Sequence, residues 1–400
     1  MKFWIYALVI SLVFGQTVRL PGGVLPTDII ALGAVGYWVF EHLRVRTWPQ
    51  LPKVQTLIIG ALITWGGISL TFNLHTLPRH ELFGPLSYLL RIATYLVLVF
   101  PLSEWFSKNP RKYLSVWEVS LMWSTLVLII LGFLQLIFIP DFSFMAQYGW
   151  DPHMGRLLST WYDPNFFAGY LSVVTPLFLA RVFEDRRQKN WNKTSGYALG
   201  VTVLSSIAVI LTLSRSGLLA FMTGMLGVTL VYAPLTIIGI VIVLSGTLAV
   251  NQRFRERVMG IFQIDVTASL RIQSWVQTIQ DIEKAPWIGV GYNTLRYQNI
   301  LPENLNSGSG RDSSLLTIWL TTGIIGLILV IAMIIERVIT FLLLAKSKDP
   351  IFRRWGISGL SALAALLVHS MFVNSMTYIH ILVILIMYLS INHDSKASHT

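Results

Sequence analysis

The chain has 400 residues, 54% hydrophobic and only 12% charged, with a mean hydropathy of +0.64. That balance excludes an ordinary soluble domain and makes lipid the solvent to reason with. A formal charge of +11 would suggest nucleic acid in a soluble protein, and the absence of cysteine excludes a disulfide framework, a thiol nucleophile and a Cys-ligated metal.

In lipid only helices and closed barrels satisfy the backbone, and the apolar runs here are far longer than barrel strands. The expected fold class is therefore all-α: a polytopic membrane protein of about twelve transmembrane helices, forming a single domain over 1–400. In chain order the predicted spans lie near 3–18, 27–43, 54–72, 85–103, 116–138, 164–180, 197–213, 217–232, 235–250, 313–335, 355–373 and 378–391. The first run looks like a signal peptide, but residues 15–19 offer no A-x-A cleavage site and more spans follow, so it is read as the first helix.

Charge along the chain sets the orientation. With the N-terminus inside, the cytosolic segments carry 18 basic residues and the short external loops four: Arg19, Arg79, Arg156 and Arg215. Both termini are expected in the cytosol. The basic excess is then topogenic, and no nucleic-acid partner is expected. Residues 197–250 read as three short helices, with one turn at Ser214–Gly217, where Gly217 serves as punctuation, and another at Tyr232–Pro234.

The long polar segment after the ninth span, 251–312, is expected outside the membrane, with seven basic and six acidic residues. Within it Ile272, Trp275, Val276, Ile279 and Ile282 recur at helical spacing, and Ala285-Pro286 stops the run. This amphipathic helix either lies in the bilayer interface or packs over the bundle.

Arg215 is the only charged residue between Tyr197 and Val250. A guanidinium keeps its charge and costs about 2.5–3.5 kcal/mol at a helix centre, so it marks a site unless it merely snorkels from a helix end. Arginines at an outer membrane face suit a lipid-linked phosphate or pyrophosphate, because their paired donors match its geometry. Arg156, Arg215, Arg271, Arg296 and Arg311 are the external candidates, the last two read as ordinary solvated loop arginines.

Residues 212–217, Thr-Leu-Ser-Arg-Ser-Gly, resemble the S-R-S-G turn of the O-antigen ligase and O-antigen polymerase superfamily. Arg271 and Trp275 followed by Pro286-Trp287-Ile288-Gly289-Val290-Gly291 resemble its outer loop, and residues 156–165 the entry to its mid-chain helix. The likeness covers roughly 150–392. Ligases of this family carry a His eleven residues before the first glycine of a G-x-x-G pair. Here that spacing from Gly323 and Gly326 reaches Asp312. The substitution favours a polymerase slightly over a ligase.

The resemblance implies an inverting, metal-independent glycosyl transfer at the outer face of the bacterial cytoplasmic membrane, without a cofactor. The donor would be a glycan on undecaprenyl pyrophosphate, and the acceptor a sugar hydroxyl on a glycan or lipid core. Arg215, Arg271 and Asp312 are the catalytic candidates: the arginines stabilise the departing pyrophosphate, and Asp312 orients the acceptor hydroxyl unless it only caps the following helix. Arg156, Ser214, Asn165 and Trp275 are the substrate-binding candidates.

No metal ligands are expected, since His75, His80 and His153 are loop histidines without metal spacing and no external D-x-D pair occurs. His369 reads as a hydrogen-bonded intramembrane residue, and Trp161, Tyr162 and Trp319 as interfacial aromatics. A transporter or flippase of lipid-linked sugars is the alternative class. It would show an internal repeat and polar residues at mid-membrane depth, whereas no repeat is found and the polar material gathers on one face.

Overall fold

The computed structural model describes residues 1–78, 81–235, 249, 266–295 and 311–392. The ninth predicted span, Arg79, His80 and Arg296 lie outside the described residues. The helices are α1 (Lys2–Phe14), α2 (Pro26–Val45), α3 (Lys53–Asn73), α4 (Phe83–Lys108), α5 (Pro110–Phe138), α6 (Pro164–Arg187), α7 (Lys193–Leu211), α8 (Arg215–Tyr232), α9 (Val266–Lys284), α10 (Ser314–Ala345), α11 (Pro350–Ser370) and α12 (Ile379–Leu389). No strand occurs among the described residues. Eight of these helices are long and apolar enough to cross a membrane. The chain is an all-α polytopic membrane protein.

α6 sits at the centre, packed against α7, α8 and α11. One end of the bundle gathers the C-termini of α1, α3, α5, α7 and α11 with the N-termini of the helices that follow them. Contacts across this end tie distant chain segments together: Gln16 N donates to Thr160 O at 2.8 Å, Leu157 N to Leu211 O at 3.0 Å, and Ser314 Oγ to Val373 O at 3.1 Å. The polar candidates among the described residues lie at this end, here named the site end.

Between α7 and α8 the chain turns at 212–214. Leu213 adopts a left-handed φ of 53°, and Ser214 caps α8 by accepting from Gly217 N at 3.2 Å. The turn thus begins two positions ahead of the expected Ser214–Gly217, and Arg215 becomes the first residue of the helix. Gly217 is not turn punctuation. It lies inside α8 where an added Cβ would stand 2.2 Å from Ala168 Cβ of α6, so its job is to let two helices approach.

α10 is broken at Gly323, whose φ of 67° and ψ of −176° interrupt the helix. Into that break fits the loop 286–291. Val290 N donates to Leu320 O at 2.9 Å, Gly291 N to Thr321 O at 3.2 Å and Ile324 N to Pro286 O at 2.9 Å. A Cβ on Gly323 would lie 2.0 Å from Trp287 O, and one on Gly289 2.6 Å from Gly323 N. The P-x-x-G-x-G and G-x-x-G motifs are therefore two halves of one backbone interlock. α3 clamps it from outside, with Ser69 Oγ on the Ile288 and Thr321 carbonyls and Asn73 on Gly289 O. Gly323→Ala is expected to lower the apparent unfolding temperature in detergent markedly, since strain and clash together exceed the ~1–3 kcal/mol of a strained backbone alone. An unchanged melting curve would contradict the interlock.

α9 turns Trp275, Thr278 and Ile282 toward the bundle, with Ile282 packed on Leu320 and Leu295. Ile272, Val276 and Ile279, spaced i, i+4 and i+7, remain 43–50% exposed. One edge of the helix rests on α10 while its apolar stripe faces away, a disposition suited to an interface. Trp161 corrects the expected interfacial belt. It is fully buried, against Phe167, Tyr170, Tyr378 and His380, because the short 159–161 turn folds inward and its Nε1 donates to Leu12 O.

At the opposite end the apolar runs extend into helices that carry paired charge. Glu118 of α5 accepts from Arg354 at 2.6 Å and faces Arg181 at 3.2 Å, both partners buried or nearly so. Arg353 pairs with Glu184. Arg337 is 2% exposed and donates to Leu389 O and Ile391 O. Residues read as topogenic loop charges are thus also cross-helix ties.

Candidate functional site

A cavity of about 700 Å³ opens at the site end and continues down the bundle. Its polar mouth is lined by Arg19, Trp150, Asp163, Asn165, Arg271 and Asp312. Below, its walls become apolar, with Leu62 of α3, Leu89 of α4, Val330 and Ile334 of α10, and Leu385 of α12. The packing that makes the mouth is nonlocal: Gln16 after α1 donates to Tyr378 Oη before α12 at 2.9 Å, and Trp275 of α9 donates to the Asp312 carbonyl at 2.9 Å.

Arg271 projects from α9 into this mouth and has no carboxylate partner among the described residues. Arg311, just before α10, differs. It lines the same cavity but is held by Asp281 at 2.9 Å, so its charge is already compensated. The expected solvated loop arginine is thus instead a part-buried, ion-paired residue of the cavity wall.

Asp312 also lines the mouth. The expected alternative, that it caps α10, is set aside by the geometry. Ser313 is the cap, its Oγ accepting from Leu316 N at 3.4 Å. The Asp312 side chain makes no capping hydrogen bond to α10.

Asn165, on the first turn of α6, is the junction of the site. Its Oδ1 accepts from Ser214 Oγ at 2.8 Å and from Arg156 at 3.4 Å, while Arg156 Nε holds Thr212 O at 2.8 Å. Ser214, Arg156 and Asn165 therefore form one cluster, of which only Asn165 reaches the cavity wall. Arg215 follows Ser214 at the first position of α8 and is half-buried. It is not among the residues lining the cavity. As a cation at the positive end of a helix, Arg215 gains nothing from the helix dipole itself.

Arg19 was counted in the sequence only for topology, yet it lines the mouth. Its Nε donates to Gln16 Oε1 at 2.8 Å and its guanidinium stands 4.6 Å from the Trp150 ring centroid. Burial pulls Arg19 below its ordinary range, with nearby tyrosines opposing. Burial does the same to Arg156, opposed by Asp163 and aided by Arg271. Neither loses its proton; the downward pull records how poorly the mouth solvates cations, a deficit that a bound anion relieves. No local signal in 15–20 identified Arg19, because its place depends on α1 meeting α12.

A second grouping was also missed. Asp151, His153 and Asp163 come together at the cavity wall, one ligand atom of each within 4.8 Å of the others. The reading of His153 as a histidine without metal spacing considered only sequence neighbours, and Asp163 reaches it through the fold. His369 matches its expectation: it is fully buried, with Nδ1 2.5 Å from Ser375 Oγ. Tyr162 lines the mouth and Trp319 packs beside Leu320.

Taken together, the helices and the cavity define a polytopic membrane protein with Arg19 and Arg271 at the mouth of a cavity that runs into an apolar bundle. Residues 200–331 match the model of the O-Antigen ligase family. The match supports the O-antigen ligase and polymerase superfamily and, broadly, a function of that type in polysaccharide biosynthesis. It takes in Ser214, Arg215, Arg271, Asp312 and both glycine motifs, and leaves Arg19, Arg156 and Asn165 outside. No curated protein matches the chain.

Proposed function

We propose that this protein transfers a glycan from undecaprenyl pyrophosphate to a sugar hydroxyl, as a surface-polysaccharide polymerase in preference to a ligase. The observation that carries the reading is the continuity of the cavity, which joins a guanidinium-lined mouth to an apolar groove. That shape suits one kind of molecule, an anionic head on a long hydrocarbon tail. The match to the O-antigen ligase family supports a lipid-linked donor and a glycan acceptor. The lower walls are largely aliphatic and aromatic and reach Arg337 at the opposite end, a lining that suits a prenyl chain better than a passing glycan, so a flippase is the less favoured reading.

In this mechanism negative charge develops on the departing pyrophosphate. Arg271, Arg19 and Asn165 stabilise it as fixed donors in a poorly hydrated mouth, with Arg156, Arg215 and the α8 N-terminus adding positive potential from behind. Asp312 orients the acceptor hydroxyl. Asp312→Asn keeps an oxygen acceptor and is expected to retain activity within about tenfold, the worth of one hydrogen bond. A loss of about 10²- to 10⁴-fold would instead assign it as a general base.

The charge asymmetry of the loops supports a mouth at the outer face of the cytoplasmic membrane. The chain has no cysteine, so a single Asn293→Cys variant should react in intact cells with a membrane-impermeant maleimide. Labelling only after lysis would invert the orientation. The function itself is tested by adding undecaprenyl-linked repeat units to purified protein without nucleotide. Longer chains on the carrier support the polymerase, and flipping without elongation would overturn it.

A further inference from the structure

The cavity wall holds a group that the transfer mechanism does not use. A carboxylate oxygen of Asp151, another of Asp163 and a ring nitrogen of His153 all lie within 4.8 Å of one another. Asp163 caps α6 through Oδ1 alone, which accepts from both Asn165 N and Phe166 N. Its Oδ2 is left for another partner. His153 is 8% exposed, so more than nine-tenths buried, and its Nε2 has no hydrogen-bond partner. A buried imidazole nitrogen without a partner forgoes about 1–3 kcal/mol, and beside two carboxylates it is explained by a ligand that accepts lone pairs from all three.

We propose that Asp151, His153 and Asp163 bind a divalent metal ion of the manganese–zinc class at the wall of the cavity. The donor set decides the class: imidazole with carboxylate disfavours calcium and magnesium, and the absence of thiolate disfavours softer ions. Ligands about 2.0–2.2 Å from one ion sit at most about 4.4 Å apart, and the three atoms here lie within 4.8 Å of one another, so any closure the ion requires is small. Asp151 is exposed on its loop and supplies that movement.

The nearest opposing charge is Arg156, one guanidinium against two carboxylates. Because Asp151 and Asp163 also line the cavity, the ion's remaining positions face the mouth. There it adds positive charge beside the anion site and ties the 149–163 loop to α6.

Titration of tag-free purified protein with Mn²⁺ alone, followed by electron spin resonance, tests the site without any transfer assay. The proposal predicts one bound ion per chain with nitrogen hyperfine coupling from a single imidazole. His153→Ala should abolish that coupling and weaken binding at least about tenfold, and Asp151→Asn should weaken binding while keeping the coupling. Thermal unfolding of each apo variant checks that the fold is intact. Absence of stoichiometric binding, or nitrogen coupling that survives His153→Ala, would overturn the site. Neither result bears on glycan transfer, so the two readings fail separately.

Discussion

Arg271→Ala is expected to lower glycan transfer by about 10²- to 10³-fold at unchanged membrane levels, the cost of removing one preorganised donor from a developing oxyanion. The guanidinium faces the cavity and pairs with no described carboxylate, so its removal strands no buried charge and should leave stability alone. Arg311→Ala is the informative contrast, because it breaks the ion pair with Asp281 and should disturb the loop more than the chemistry. Arg215→Ala is expected to lose activity as well, through the potential at the head of α8. The measurement is a gel ladder of products from membranes carrying matched amounts of each variant. Retained activity in both Arg271→Ala and Arg215→Ala would discard the assigned roles.

The largest stability effect is expected at the opposite end. Glu118 lies between Arg354 and Arg181, its side chain only 2% exposed. Glu118→Ala leaves two guanidinium groups facing one another in a dry setting, and breaking such a pair costs about 3–5 kcal/mol. Asp185 stands 3.3 Å from Arg181 and 3.8 Å from Arg354, and this second carboxylate should hold the loss near the lower bound. The check is the apparent unfolding temperature in detergent, read beside donor binding. A large drop in temperature with donor binding kept is the expected pair of results, and an unchanged temperature would show that the network is ornamental to the fold.

What the sequence disclosed follows from what is local in it. Hydropathy placed the helices because a membrane span is written in consecutive residues, and the break between α7 and α8 and the glycine motifs were visible as short patterns. The meaning of those glycines was not visible. That Gly323 and Gly289 interlock, or that Gly217 faces Ala168, depends on which helices touch. The same reason hid Arg19, whose place in the mouth requires Gln16 to meet Tyr378 across the whole chain.

Asp163 behaved likewise. As a cap it is legible from Asp-Pro-Asn, but as a neighbour of His153 it is not, because the 149–163 loop must first fold back on itself. Charge counting gave the topology and concealed pairing: Arg181, Arg353 and Arg354 carry a positive-inside signal and also bind carboxylates on neighbouring helices. Asp312 was found through a spacing to Gly323, and the structure adds that Ser313 takes the capping duty that would have explained it away.

The account rests on fixed guanidinium groups of one cavity holding a prenyl pyrophosphate, and binding of undecaprenyl pyrophosphate to the purified protein by native mass spectrometry measures that directly. One lipid per chain is expected for the wild type and for Arg311→Ala, with at least about tenfold weaker binding in an Arg19→Ala, Arg271→Ala double variant, a loss of about 1.4 kcal/mol or more. Equal binding by all three proteins would contradict it.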